Sequence, residues 1–475
     1  MGVTFPTDST SSTGRTVLAD ALRKADPIGS RAVERETNWR RGYLAHFRRA
    51  VEAGLLEPPD AHSIALEGLQ SLHREMRFRN AAGEELTLED AMKSAGEDEF
   101  HTTTLEGKGE RERELSIPYR GERLRGDTLH RQLSDWVKRG VITASCAEAV
   151  RTVHDHPEWL ALEGDTVAVL GAGAEMGPMH ALLRWGAEIA AVDLPRAELQ
   201  KRIHETAMQG AGRVHLPSHA GRHGDWNVGA NVIEELPSIA QWLDGHVGRL
   251  VLGNYCYADG ATHVLVSVAG DVLGQHLVNR RPNMALAFLA TPTDVFAVPT
   301  EEVEQASAAY QKRSLSKLNR TPLRVVSGGR LLQRNYPPGA DPGLCDSLVP
   351  LQGPNYAFAK RIQRWRATAA RDAGTTVSLN VAPATRTRSV LKNKALAAAY
   401  AGAHRFGVEV FDPATSNTLM AALLVYDLRA GEPAQEHPWQ DEAHNAAHGG
   451  LWTGAYQPRS VLGLAAVLGL AGMRG

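Results

Sequence analysis

An apolar run breaks into glycines, and a second apolar run ends on a carboxylate. No other feature constrains this chain as much. The residues are Asp165-Thr-Val-Ala-Val-Leu-Gly171-Ala-Gly173-Ala-Glu175-Met-Gly177-Pro178-Met-His, then Gly186-Ala-Glu-Ile-Ala-Ala-Val-Asp193. Strand, glycine turn, helix, strand and acid in that order make a β-α-β unit suited to a dinucleotide. The glycines let the backbone approach a pyrophosphate, free N–H groups at the helix start favour its charge, and the acid can accept from a ribose hydroxyl. From Gly171 to Asp193 is 22 residues, close to the roughly 20 such units use. Pro178 suits a first helical turn, where its missing N–H is no loss. The plainer alternative is a glycine turn after the first strand of any α/β protein. Because four features agree, a nucleotide-type ligand is the expectation.

The rest of the chain is consistent with that unit. Residues 1–160 read as a mostly helical domain. In it, Asp127–Gly140 carries apolar residues at i, i+4 and i+7 with Gly140 at the stop, and Ser145-Cys-Ala-Glu148 has the form of a capping box. Gly96–Arg125 is dense in Glu, Arg and Gly, which predicts an exposed connector. From 161 to 475, apolar runs alternate with helical patterns. Strands are expected at Val167–Leu170, Glu188–Val192, Leu250–Asn254, Ala285–Ala290 and Thr376–Val381, and a helix at Ser416–Leu428. The fold class that follows is α/β: a Rossmann-type, doubly wound parallel sheet preceded by helices. An insertion rich in Pro, Gly and Arg at about 299–352 interrupts the rhythm and suits a lid or substrate wall.

Composition excludes several classes. The chain has 475 residues, 43% hydrophobic and 22% charged, with net charge −2. That is enough apolar material for a large core, and too little positive charge for a nucleic-acid partner. Three widely spaced cysteines, Cys146, Cys256 and Cys345, offer neither a disulfide framework nor a metal knuckle, so a reducing, cytoplasmic setting is expected. The N-terminus shows no signal-peptide pattern, and no apolar run reaches the roughly 20 residues of a membrane span. The apolar stretch from Val461 to Met473 is expected to be a buried terminal helix.

Tyr356-Ala-Phe-Ala-Lys360 is the second chemical signal. On a helix these two side chains share a face, so the ammonium can favour the phenolate and lower a pKa of about 10. Such a tyrosine exchanges a proton with a carbonyl or hydroxyl oxygen while hydride moves at carbon. The segment follows an apolar run and leads into Thr376-Val-Ser-Leu-Asn380-Val-Ala-Pro383-Ala-Thr385-Arg-Thr387.

With these pieces in this order, residues 163–430 resemble the short-chain dehydrogenase/reductase superfamily. The resemblance implies a Rossmann fold, NAD as cofactor (or NADP), and dehydrogenase or reductase activity at a hydroxyl or carbonyl group. It implies Tyr356 as acid/base, with Lys360 lowering its pKa and holding the nicotinamide ribose. Gly171, Gly173, Gly177, Asp193, Asn254 and Pro383 would surround the cofactor, with Asp193 favouring NAD and Arg196 able to restore NADP. The family's usual serine is replaced by Gly343, so Thr293, in Thr291-Pro-Thr293, becomes the carbonyl-polarising hydroxyl, with Ser347 next in line. Glu175 stands where the family has a glycine, placing bulk and charge over the expected pyrophosphate.

Other clusters read as bland. His215, His219 and His223 recur every four residues, but Pro217 and Gly221 break any helix, so no metal site is expected. Asp441, His444 and His448 suit the exposed end of a helix closed by Gly449. Tyr257 and Asp259, at a strand's carboxyl end, are candidates to face substrate, and Cys256 reads as packing. Two further functions stay open: an S-adenosylmethionine-dependent methyltransferase, and a non-catalytic dinucleotide-binding sensor. The expected partner is a small-molecule substrate, of hydrophobic character if the apolar C-terminus is a guide, and the protein is expected to form a homo-oligomer.

Overall fold

Seven strands build the central sheet of the computed structural model: β1 (Phe100–Glu106), β2 (Asp165–Leu170), β3 (Glu188–Val192), β4 (Arg213–His219), β5 (Arg249–Asn254), β6 (Ala285–Ala290) and β7 (Thr376–Val381). The described residues are all but 8, 95, 97, 98, 220–226, 313–316 and 473–475, with the side chains of 317–320 and 472 also left out. The strand order is β7-β6-β5-β2-β3-β4-β1. Strands β2 to β7 run parallel, and β1 closes one edge antiparallel to β4. Leaving β1 aside, the chain winds outward from β2 in both directions, as in dinucleotide-binding sheets.

Strands β2, β3, β5 and β6 read as near-continuous apolar runs because both faces are covered. Ala168 and Leu170 of β2 point into one core, and Val167 and Val169 into the other. The first face packs against α6 (Ala261–Arg280) and α7 (Gly353–Asp372), and beyond them the N-terminal helices α1 (Thr10–Leu22) and α2 (Pro58–Glu75). The second face carries α3 (Ala144–Asp155), the short α4 (Met179–Arg184), α5 (Ala197–Gln209) and α8 (Pro413–Arg429). Proline sits in the first turn of α2, α7 and α8, where no N–H is required.

Several local expectations change. The Gly96–Arg125 segment is not a loop throughout: it supplies β1 and a hairpin, Ile117–Tyr119 with Glu122–Leu124. Its mixed charges, Lys108 to Glu114, follow the strand and lie outside the sheet. His215 and His219 lie on β4, not a helix, and His223 falls outside the described residues. The cap of α3 is Thr143, which accepts from the Cys146 N–H at 3.2 Å, and not Ser145. The Asp441 helix ends at Ala443, so His448 does not share its face. Instead His448 is fully buried, stacked on Trp452 at 4.7 Å, and burial pushes its pKa down to about 3. The last helix, Pro458–Gly472, buries Val461 and Ala465 but leaves Val467, Leu468 and Leu470 exposed.

The 299–352 insertion holds helices Thr300–Lys312 and Lys317–Val326. It is bounded by the antiparallel strands Val295–Val298 and Gly343–Asp346. Among the described residues no helix is long and apolar enough to cross a membrane.

Candidate functional site

Where the strand order reverses, between β2 and β5, a cleft of about 1410 Å³ opens at the carboxyl ends of the strands. Open α/β sheets bind ligands at this point. Gly171, Gly173, Asp193, Asn254, Tyr356, Lys360 and Pro383 all line this one cleft. Gly177 and Thr293 do not, although Thr291 does.

At the glycine end, Gly171 has φ +79°, and a Cβ there would come within 3.0 Å of the Cys256 backbone. Only glycine tolerates both demands. The Gly173 N–H donates to Asp193 Oδ2 at 2.8 Å, and the Leu194 N–H to Oδ1 at 2.8 Å. The acid that ends β3 therefore also ties down the glycine turn. Burial raises its pKa, while these N–H groups and the guanidiniums of Arg202 and Arg196 act against the rise. Gly177 donates to the Ala174 carbonyl at 3.1 Å and serves the turn. Helix α4 spans only six residues, with Pro178 as its N-cap, so the turn's own backbone dominates this end.

Glu175 lines the cleft with the glycines, but its carboxylate is engaged by Arg388. Its Oε2 accepts from the Arg388 N–H at 2.8 Å, and its Oε1 pairs with Arg388 Nε at 3.1 Å. The bulk that seemed to obstruct a pyrophosphate is instead turned toward the segment that follows β7.

At the other end, Thr291, Thr293 and Gln352 lie beside the Tyr356 hydroxyl. The two threonine hydroxyls are 2.9 Å apart. Burial raises the phenol's pKa, against the pull of those neighbours. That direction is the reverse of the one expected from a neighbouring ammonium. The reason is visible in Lys360, whose Nζ donates to the Leu289 carbonyl at 3.2 Å and to Gln363 Oε1 at 3.0 Å. Burial lowers Lys360 to about 8. Ser347 faces Cys345, with Sγ and Oγ 3.2 Å apart, and is absent from the cleft lining.

Helix α7 is fixed by charge. Asp294, 2% exposed, pairs with Arg361 at 3.0 Å and Arg364 at 2.8 Å, and Arg364 also lies 4.2 Å over the Phe296 ring. Asp294 is the residue after Thr293, so this cluster sets the helix against the threonine pair.

The sequence did not single out His263, Tyr400 or Arg388, all of which line the cleft. His263 could have been found: it lies four residues past Asp259, just beyond the carboxyl end of β5. Asn254 places Oδ1 3.3 Å from the Cys256 N–H, and its Nδ2 has no hydrogen-bond partner among the described residues. Cys256 is pushed well above the usual thiol range by burial, as suits a packing role.

Among the described residues, one group brings ligand atoms together as a metal site would: His130, His154 and Asp155. Contacts of 3.3 Å and 3.1 Å within the group satisfy it by hydrogen bonding alone. No family model matches the chain, and neither does any curated protein.

Proposed function

We propose that the protein is an NAD(P)-dependent oxidoreductase acting on a hydroxyl or carbonyl group, of short-chain dehydrogenase/reductase type. One observation carries the reading: Tyr356, with Thr291 beside it, shares a single cleft with the glycine turn and Asp193. A glycine floor at one end and a proton-exchanging hydroxyl at the other is the layout hydride chemistry requires.

The residues fit a dinucleotide. Gly171 and Gly173 leave room for close backbone approach, and Asn254 keeps an unpartnered buried amide in the cleft wall. Asp193 retains acceptor capacity for a ribose hydroxyl, since each of its oxygens takes one N–H. Lys360 has one N–H left after its two hydrogen bonds and would donate it to the other ribose. A bound nicotinamide would supply or take up the hydride. Tyr356 gives its proton to the carbonyl oxygen during reduction and recovers it during oxidation. Thr291 polarises the same oxygen, taking the part first expected of Thr293, because it is Thr291 that reaches the cleft. With the phenol's pKa raised by burial, the protonated form dominates at neutral pH.

The test joins binding to turnover. Fluorescence titration with NADH and NADPH is expected to show binding to the wild type and, unchanged, to Tyr356→Phe. Turnover in that variant should fall by about 10²-fold or more, the usual contribution of a positioned acid. Full activity in Tyr356→Phe, or no binding of either nicotinamide, would sink the reading. Binding of S-adenosylmethionine in the parallel arm would favour a methyltransferase.

A further inference from the structure

His263 is the most unusual group in the cleft wall. It lies in the first turn of α6, is 1% exposed, and still lines the cleft. Its ring sits 5.1 Å from that of Tyr257 and 5.3 Å from that of Tyr356. Its Nε2 has no hydrogen-bond partner among the described residues. Buried polar atoms are nearly always satisfied, and one that is not, beside a binding cleft, is a place where a ligand supplies the partner.

The chemistry of that ligand is constrained. Burial, with the Lys360 ammonium nearby, pushes His263 down to about 3, so the ring is neutral at every physiological pH and offers no ion pair to a carboxylate. A neutral imidazole presents one N–H and one lone pair. A hydroxyl, which donates and accepts, complements it in either tautomer. Tyr257 forms the outer wall: it is 53% exposed, and its hydroxyl lies 3.2 Å from Asp259 Oδ1. With Tyr356 and Tyr400 it gives the pocket aromatic walls, which suit the face of a ring.

We propose that His263 determines specificity by hydrogen-bonding a second hydroxyl of a cyclic substrate, on the carbon next to the one that faces Tyr356. This rests on Tyr356 being the acid/base. The contact of the two rings explains the adjacency, since groups on touching side chains reach neighbouring oxygens of one ligand.

The probes are cis-1,2-cyclohexanediol and cyclohexanol, titrated by ligand-observed NMR against the full chain, His263→Phe and His263→Asn. NADPH and NADH are titrated into the same preparations. The diol is expected to bind the wild type about fivefold tighter than the mono-ol, the worth of one neutral hydrogen bond. The ratio should fall to about one in His263→Phe and recover in part in His263→Asn, which keeps an uncharged donor and acceptor. Equal affinities in the wild type, no binding of either alcohol, or an unchanged ratio in His263→Phe would overturn the proposal. If nicotinamide binds while the diol preference is absent, His263 alone loses its role. If the preference is present and lost in His263→Phe but no nicotinamide binds, the hydroxyl site stands and the oxidoreductase reading falls.

Discussion

Lys360 carries the chief electrostatic cost at the residue scale. A free lysine titrates near 10.4, and in the fold this one titrates near 8 because burial disfavours its charge. Between those values the unfolded chain binds more protons than the folded one, so stability rises with pH across this window and the full penalty applies below it. Lys360→Met is therefore expected to melt about 2 °C higher than the wild type at pH 7. The gap should shrink by pH 10.5, and a gap that ignores pH would refute the assignment. Gly171 carries a backbone cost instead. With φ +79° and the Cys256 backbone against it, Gly171→Ala should lose about 1–2 kcal/mol of stability in urea titrations. It should weaken nicotinamide binding as well, because the strained turn is the floor of the cleft.

Between elements, the decisive contact joins α7 to the end of β6. Thr291 and Asp294 lie three residues apart, one beside Tyr356 in the cleft and the other between Arg361 and Arg364. Removing one member of a buried, paired set leaves uncompensated charge, which costs about 3–5 kcal/mol. Asp294→Asn should show a loss of that size by chemical denaturation. Its kcat should also fall by more than its nicotinamide affinity, since the glycine turn lies on other strands. The two guanidiniums hold the Asp294 pKa below the usual carboxylate range. The pairing is therefore present at neutral pH and is lost as pH falls through that lowered value.

For the whole molecule, the N-terminal helices are part of the wall behind the site. A Cβ on Gly68 of α2 would come within 2.6 Å of the Trp365 ring of α7. His73 reaches Asp271 of α6 at 2.6 Å, and Arg366 of α7 meets the same carboxylate at 2.7 Å. Val17, Leu18, Leu69 and Leu72 share one core with Ile362 and Trp365. Gly68→Val is expected to cost about 1–3 kcal/mol through overpacking, measured by thermal unfolding. A chain lacking residues 1–92 would bare the apolar faces of α6 and α7. It should aggregate, and a soluble, cooperatively folding truncation would contradict that shared core.

The sequence alone marked five of the six parallel strands. All five strands it marked are present, because buried parallel strands are written as unbroken apolar runs bounded by turn residues. The glycine turn and helices α7 and α8 were legible for the same local reason. Strand β4 was hidden behind polar and proline residues, Arg213-Val-His-Leu-Pro-Ser-His219. Strand β1 was hidden in a charged stretch that pairs with a partner about 110 residues away. The chemistry divides in the same way. Residue types and spacing named Tyr356, Lys360, Asp193 and the glycines. Tertiary structure alone decided that Lys360 spends two of its three donors on β6 and Gln363, that Asp193 holds the Gly173 turn, that Thr291 and not Thr293 reaches the cleft, and that His263 is buried beside Tyr356. Hydrogen-bond partners and desolvation come from residues far apart along the chain, and no local pattern encodes them.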